Sequence, residues 1–382
     1  MNLLRFSKLP NCFLFFALSL ASARAGVSAT RDWLMPDQIK SAMRTVCDYT
    51  ATHPGGTEVA RKGESNGWVR AAFFVGVIEA YQATKDPSYL KLATDWAEAN
   101  QWQTAKRTIK NPGDIRHGDD QCCGQTYLEL NEISPSPEKI AAIRAKIDSI
   151  IADPKPGRED WWWCDALFMA PSVYAQLGRA TGDNKYYEAL DKMYWDSADF
   201  LYDDDGGLFY RDKRFFGKRT AHGQKVFWSR GNGWVIAGLA RILTYLPKTD
   251  PAYPKYGKLF ARMAAELVPL QGVDGLWRTS LLDAAEYPAP ETSGSGFFCY
   301  ALAWGIAEGR LPKATYEPVV QKAWKGLCGS IQSNGSLGWV QVVGYQPDVV
   351  KQESTQDYGS GAFLLAGSQM LRLVEAKPAK SE

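Results

Sequence analysis

The chain has 382 residues, with 44 lysines and arginines against 42 aspartates and glutamates and only three histidines. An even balance with no basic stripe excludes the electrostatic footprint of a nucleic-acid binder. His53, His117 and His222 stand at no helical spacing from one another, which argues against a histidine-built metal centre.

Residues 1–25 are expected to be a signal peptide. Arg5 and Lys8 give a basic start, and Cys12 to Leu20 form an apolar run shorter than the ~20 residues a bilayer span needs. Ala23-Arg24-Ala25 then places small residues where a signal peptidase cuts. No later segment is apolar enough to cross a membrane. The product is therefore expected outside the cytoplasm, in the periplasm or secreted. Removing Arg5, Lys8 and Arg24, and no acid, leaves 41 basic against 42 acidic residues. No Pro/Ser-rich linker or charge run divides the remainder, so residues 26–382 read as one domain although about 150 residues per domain is the usual prior.

A helix at about Pro36 to Tyr49 begins the series. An irregular repeat of roughly 45 to 65 residues follows, the mark of a stacked or closed array. Each unit opens on small or polar residues beside an aromatic or an acid. The openings are Asn66-Gly67-Trp68, Asp119-Asp120-Gln121, Trp162-Trp163-Cys164-Asp165, Arg230-Gly231-Asn232-Gly233-Trp234, Ser293-Gly294-Ser295-Gly296 and Asp357-Tyr358-Gly359-Ser360. After each comes an apolar, Ala- and Gly-rich helix, then a turn, then an amphipathic helix such as Tyr186-Tyr187…Leu190…Met193-Tyr194.

A helix apolar all round must be buried, and an amphipathic one can cover it. Six such pairs predict an all-α fold, an (α/α)6 double-layered barrel. An open solenoid is the alternative, but its repeats would be more regular. If the layers run antiparallel, all inner N-termini meet at one mouth. Their unpaired N–H groups favour an anionic ligand there.

One stretch departs from the helical pattern. Leu208 to Phe216 and Lys225 to Trp228 alternate like strands, predicting a small β-hairpin near the mouth. Asp203-Asp204-Asp205-Gly206 lacks the spacing of a calcium loop and reads as a turn. The cysteines beyond the signal, Cys47, Cys122, Cys123, Cys164, Cys299 and Cys328, match no zinc spacing. They are expected mostly as small buried side chains. No metal and no cofactor is expected.

The chemistry concentrates at the openings. Asp165 starts an apolar helix beside Trp161, Trp162 and Trp163. Desolvation there would raise its pKa and fit it to donate a proton; capping the helix is the alternative role. Asp119 and Asp120 form a second acidic site, since adjacent carboxylates resist joint ionisation. Trp68, Trp162, Trp163, Trp228 and Trp234 are candidates to stack on sugar faces or to serve as plain core. Arg230 could hold a substrate carboxylate, or pair with a neighbouring loop acid.

At this point a family resemblance appears. Trp-Trp-Cys-Asp-Ala-Leu-Phe-Met-Ala-Pro (162–171), Asp-Asp-Gln-Cys-Cys-Gly-Gln-Thr-Tyr (119–127) and Ser-Arg-Gly-Asn-Gly-Trp (229–234) resemble glycoside hydrolase family 105. These are unsaturated rhamnogalacturonyl and glucuronyl hydrolases. The resemblance spans about residues 35–375. It implies the six-hairpin barrel, no metal, and an acidic unsaturated oligosaccharide as substrate. It implies hydration of the C4=C5 double bond of the non-reducing uronate instead of attack at the anomeric carbon. On that reading Asp165 is the acid, Asp120 or Asp119 supports it, and Arg230, Trp234 and Trp68 bind sugar. An ordinary hydrolase or epimerase on the same barrel, or a glycan-binding protein, are the alternatives. Epimerases of this shape depend on cavity histidines, and His53, His117 and His222 read as lying in loops or near the mouth, which argues against that alternative.

Overall fold

The computed structural model describes residues 32–55, 65–106 and 116–376. The expected signal segment lies outside the described residues. From Asp32 onward the chain forms one compact unit. In chain order its helices are α1 (Pro36–Thr52), α2 (Trp68–Thr84), α3 (Pro87–Ala99), α4 (Cys123–Ile133), α5 (Pro137–Ala152), α6 (Gly157–Asp160) and α7 (Ala166–Met169). There follow α8 (Pro171–Thr181), α9 (Lys185–Leu201), α10 (Ser229–Tyr245), α11 (Tyr253–Leu267), α12 (Thr292–Ala307), α13 (Lys313–Gly329) and α14 (Asp357–Glu375). No described helix is long and apolar enough to cross a membrane.

Local chemistry sets many of these boundaries. Proline occupies the first turn of α1, α3, α5, α8 and α11, where its missing N–H costs nothing. The Asp86 carboxylate accepts from Ser88 N at the start of α3, and Glu291 accepts from Ser293 N and Gly294 N at the start of α12. Such caps satisfy orphan donors of the first turn.

The helices build the closed double layer that the repeat predicts. α2 packs on α4, α4 on α8, α8 on α10, α10 on α12, α12 on α14, and α14 returns to α2. Around this inner ring, α1, α3, α5, α9, α11 and α13 each lie on an inner helix. Burial follows the two layers. From Thr292 to Ile306 every residue of α12 is buried, whereas α11 buries a stripe through Tyr256, Leu259, Phe260, Met263, Ala264 and Leu267, the spacing of one helical face. At the closing seam, a Cβ on Gly76 would stand 2.4 Å from Gly361 O, and one on Gly361 would stand 2.3 Å from Ala72 O. Glycine at both positions lets α2 and α14 approach backbone to backbone.

Contacts at the two ends fix the direction of the inner helices. Near their N-termini, Trp68 of α2 meets Tyr358 of α14 and Trp234 of α10, which in turn meets Phe168 of α7 and Phe297 of α12. Near the other ends, Arg241 of α10 pairs with Glu129 of α4, and Gln369 of α14 donates to Glu79 of α2 at 2.8 Å. The inner helices therefore run parallel, and all six sequence openings lie at or just before their N-termini.

The predicted hairpin is present in a shorter form and a shifted pairing. Strand β1 (Tyr202–Asp203) pairs antiparallel with β2 (Leu208–Phe209). Residues 213–215 form a 3-10 turn instead. Lys225 bridges to Arg219, and Trp228 to Ser280. Asp203 builds the β1–β2 turn by accepting from Gly206 N at 2.7 Å and pairing with Lys225. Asn232 at the start of α10 grips β2, donating to Phe209 O at 3.0 Å and accepting from Phe209 N at 2.8 Å. The hairpin is thus fastened to the mouth. The six cysteines from Cys47 to Cys328 are buried free thiols.

Candidate active site

Asp165 stands at the start of α7, but its carboxylate makes no capping hydrogen bond to the helix. Its surroundings are built by two backbone approaches. Cys164 N donates to Arg211 O at 2.8 Å, which draws the segment after β2 alongside. A Cβ on Gly231 would lie 3.0 Å from Cys164 Sγ, so glycine there allows α10 to carry Arg230 close. The result is a buried carboxyl with Arg211 Nε 3.5 Å from Oδ2 and Cys164 Sγ at 3.6 Å. Burial pushes the Asp165 carboxyl above its ordinary value, against the opposing pull of Arg211 and Arg230. A carboxyl so placed can hold a proton closer to neutrality.

The second acidic pair lies next to it. Asp119 and Asp120 belong to a 3-10 turn, Gly118–Gln121, which His117 caps by accepting from Asp119 N at 3.3 Å. This turn packs on α7. A Cβ on Gly118 would stand 3.5 Å from Ala166 Cβ, so the residues flanking the two acidic motifs are close neighbours. Both carboxylates are buried. His117 packs against Trp163 with ring centroids 4.4 Å apart, so this histidine supports the site wall.

Arg230 is buried, and among the described residues it forms no ion pair with a loop acid. Its Nη1 and Nη2 donate to the carbonyls of Gln341 and Val342 at 2.5 and 2.9 Å. Its guanidinium lies between the rings of Trp228 and Tyr358, at 4.5 and 4.8 Å from their centroids. Gln341 is the hub of this corner: its carbonyl also accepts from Tyr358 Oη, and its side chain accepts from Trp228 Nε1 at 2.7 Å.

The predicted tryptophans separate by exposure. Trp162 is 41 % exposed, while Trp163 and Trp234 are buried. Trp68 is half-buried and stacks on Tyr358 at 5.3 Å. Trp234 sits deeper, between Phe168 and Phe297. Trp162 has Arg211 over its ring at 5.1 Å.

Sequence reasoning missed Arg211. It arrives on an extended segment that showed only strand-like alternation. Arg211 Nη1 donates to Asp212 at 2.7 Å, and Asp212 also binds Arg214. Despite burial, which raises it, these hydrogen bonds bring the Asp212 carboxyl down to about 2, so Asp212 stays ionised and anchors Arg211. Among the described residues, several buried donors at this end of the barrel make no hydrogen bond: Arg211 Nε, Arg230 Nε, Trp234 Nε1 and Gln356 Nε2.

The family model for Glycosyl Hydrolase Family 88 matches residues 41–374. The chain belongs to this family. It is a glycosidase on an (α/α)6 barrel. The matching model is that of family 88, where the motifs resemble family 105, a close relation. An unsaturated 3S-rhamnoglycuronyl hydrolase of Formosa agariphila is 38% identical over 327 residues, covering 81% of this chain and 85% of that protein. A solved family 88 glycosyl hydrolase from Bacteroides vulgatus superposes with a TM-score of 0.81 at 32% identity, over 88% of this chain and 99% of the other. A solved polysaccharide lyase superposes with a TM-score of 0.82 at 35% identity, over 90% and 99%.

Proposed function

We propose that this enzyme removes a 4,5-unsaturated uronic acid from the non-reducing end of lyase-generated oligosaccharides, by hydrating the C4=C5 bond. The observation that carries this reading is Asp165: a buried carboxyl of raised pKa facing two guanidinium groups. Its proton goes to C4, and positive charge develops on C5 and the ring oxygen. Water adds to C5 and returns a proton to Asp165. The resulting hemiketal opens, and the exposed C1 centre releases the next sugar as an alcohol. Asp120, or Asp119, supports the acid. Arg211 and Arg230 favour an anionic sugar beside Asp165, and Trp68 and Trp162 offer ring faces.

The finer assignment to family 105 activity rests on the three sequence motifs and on the hydrolase relative. Export rests on residues 1–25, and a mature N-terminus beginning near Gly26 in a recombinant culture fraction would support it. The resemblance to a polysaccharide lyase supports a second reading, in which a base takes the C5 proton and creates the double bond. One assay separates the two. Hydration removes the ultraviolet absorbance of the conjugated double bond, and elimination adds it. Falling absorbance with unsaturated disaccharides from pectin, ulvan or glycosaminoglycan is expected. Rising absorbance on saturated polysaccharide, with no change on the disaccharides, overturns the hydrolase reading.

A further inference from the structure

Gln341 is 1 % exposed, and no step of the proposed chemistry uses it. It lies in the long connection between α13 and α14. Up to Gln341 that connection is fastened through its backbone. Thr292 N donates to Trp339 O at 3.0 Å, Thr292 Oγ1 to Gly338 O at 2.7 Å, and Val340 N to Ser354 O at 3.0 Å. Gln341 N then donates at 3.2 Å to Glu291, the carboxylate that caps α12. Past this point the fastening changes. Among the described residues, no backbone–backbone hydrogen bond is made from Val342 to Val350, and Val343, Tyr345 and Val349 are exposed.

The Gln341 side chain ties this stretch down. Its Oε1 accepts from Trp228 Nε1 at 2.7 Å, and its Nε2 donates to Gln346 O at 2.8 Å. One amide thus links the residue before α10 to both ends of the loop 341–346. The other ties are Arg230 on Val342 O at 2.9 Å and Arg214 over the Tyr345 ring. Arg230 is therefore held by two carbonyls, those of Gln341 and Val342, inside the loop that the amide closes. A guanidinium is a planar fork of five N–H donors. Here two of them go to those carbonyls, which sets the plane of the fork between Trp228 and Tyr358. Bidentate capture of a carboxylate depends on that plane. The charge of Arg230 is already felt at the Asp165 carboxyl.

We infer that Gln341 is a positioning residue, whose side chain, through the carbonyls of Gln341 and Val342, sets the Arg230 guanidinium to receive the carboxylate of the substrate's uronate. This deepens the hydrolase reading and rests on it.

The test compares an unsaturated disaccharide with the methyl ester of its uronate, which keeps the double bond and loses the charge. The quantity read is the ratio of kcat/KM for the free acid to that for the ester. The wild type should favour the acid about ten- to hundredfold, the worth of a hydrogen bond to a charged group, and Arg230→Gln should bring the ratio near one. Gln341→Met, similar in length but without either hydrogen bond, should lower the ratio about three- to tenfold, chiefly through KM for the acid. Added to Arg230→Gln, it should lower the ratio no further. Equal losses on both substrates, with the ratio unchanged, make Gln341 a packing residue only and overturn the inference. A ratio that Arg230→Gln leaves unchanged overturns it too. Trp228→Phe removes the same hydrogen bond from the other side and keeps a ring beside Arg230. It should repeat the fall, and it supplies the reading if Gln341→Met does not fold. Absence of turnover of the free acid by the wild type overturns the hydrolase reading instead. Calorimetric binding of a saturated uronate disaccharide and its methyl ester then decides Gln341 independently. Discrimination weakened in Gln341→Met upholds its role, and discrimination equal in the two proteins is fatal to it.

Discussion

Arg211 Nε lies 3.5 Å from Asp165 Oδ2, in an ion pair that is not also a hydrogen bond. The pair is held from outside: Cys164 N donates to Arg211 O, and Asp212 grips the far side of the guanidinium. The cation is therefore placed by its backbone and by a third residue, with one N–H still uncommitted. The acid it faces is the group on which the proposed chemistry depends.

The Asp165→Asn variant should lose turnover by about 10²–10⁴-fold, the usual worth of a positioned general acid or base. Its stability should move the opposite way. Burial raises the Asp165 carboxyl above the ordinary 3.8, so the native state prefers it protonated. That contribution is fully present below about pH 3.8 and is lost as pH rises through the folded value. Asparagine is neutral throughout and escapes the loss. Thermal melts should show the variant gaining on the wild type as pH is raised from 4 to 7. Full activity in the variant, measured by the absorbance assay, would remove Asp165 from the mechanism.

Arg211→Gln should shift the pH dependence. Arg211 opposes the upward push of burial on Asp165, so removing its charge lets the carboxyl rise further. Both limbs that report Asp165 should move to higher pH: the acid form survives further upward, and the carboxylate form appears later. The kcat/KM profile of the two proteins checks this. An unshifted profile with a uniformly lower rate would mean that Arg211 serves only to position the segment.

Much of this was legible in the sequence because the information is local. All six openings fall at inner-helix starts, since each needs small residues for close packing and polar ones for a first turn. Asp165 and Arg230 could be singled out because each lies inside its own short motif. Arg211 could not, because its meaning comes from a backbone hydrogen bond to Cys164, far along the chain. The hairpin was half-legible: alternation marked Leu208 and Phe209, but Asp203 and Asn232 side chains take over hydrogen bonds that a longer strand pair would make. Exposure was not readable either. Trp162 and Trp234 look alike in sequence, yet one is 41 % exposed and the other fully buried.

The opposite end of the barrel holds a fully buried ion pair. Arg241 and Glu129 are both buried and paired, and Tyr245 Oη also donates to Glu129 at 2.9 Å. Arg241 Nε donates to Gln125 at 2.6 Å, and Gln125 in turn donates to Phe168 O, within the helix that Asp165 begins. Arg241→Met leaves Glu129 buried without its cation. A loss of about 3–5 kcal/mol is expected, as for other broken buried pairs. Urea unfolding measures it, and a change within error would show that Glu129 finds water or a proton at little cost.

Gly76→Ala tests the closure of the ring. The added Cβ would sit 2.4 Å from Gly361 O and 2.9 Å from Gly361 Cα. Both are backbone atoms, so no side chain can swing away to relieve the contact. Either α2 and α14 separate or the helix bends, and overpacking of this kind costs about 1–3 kcal/mol or more. The seam also carries Trp68 and Tyr358, so separation there should loosen the aromatic floor and raise KM more than it lowers kcat. A variant as stable as the wild type, with KM unchanged, would mean that the two helices are held apart more widely in solution than this seam requires.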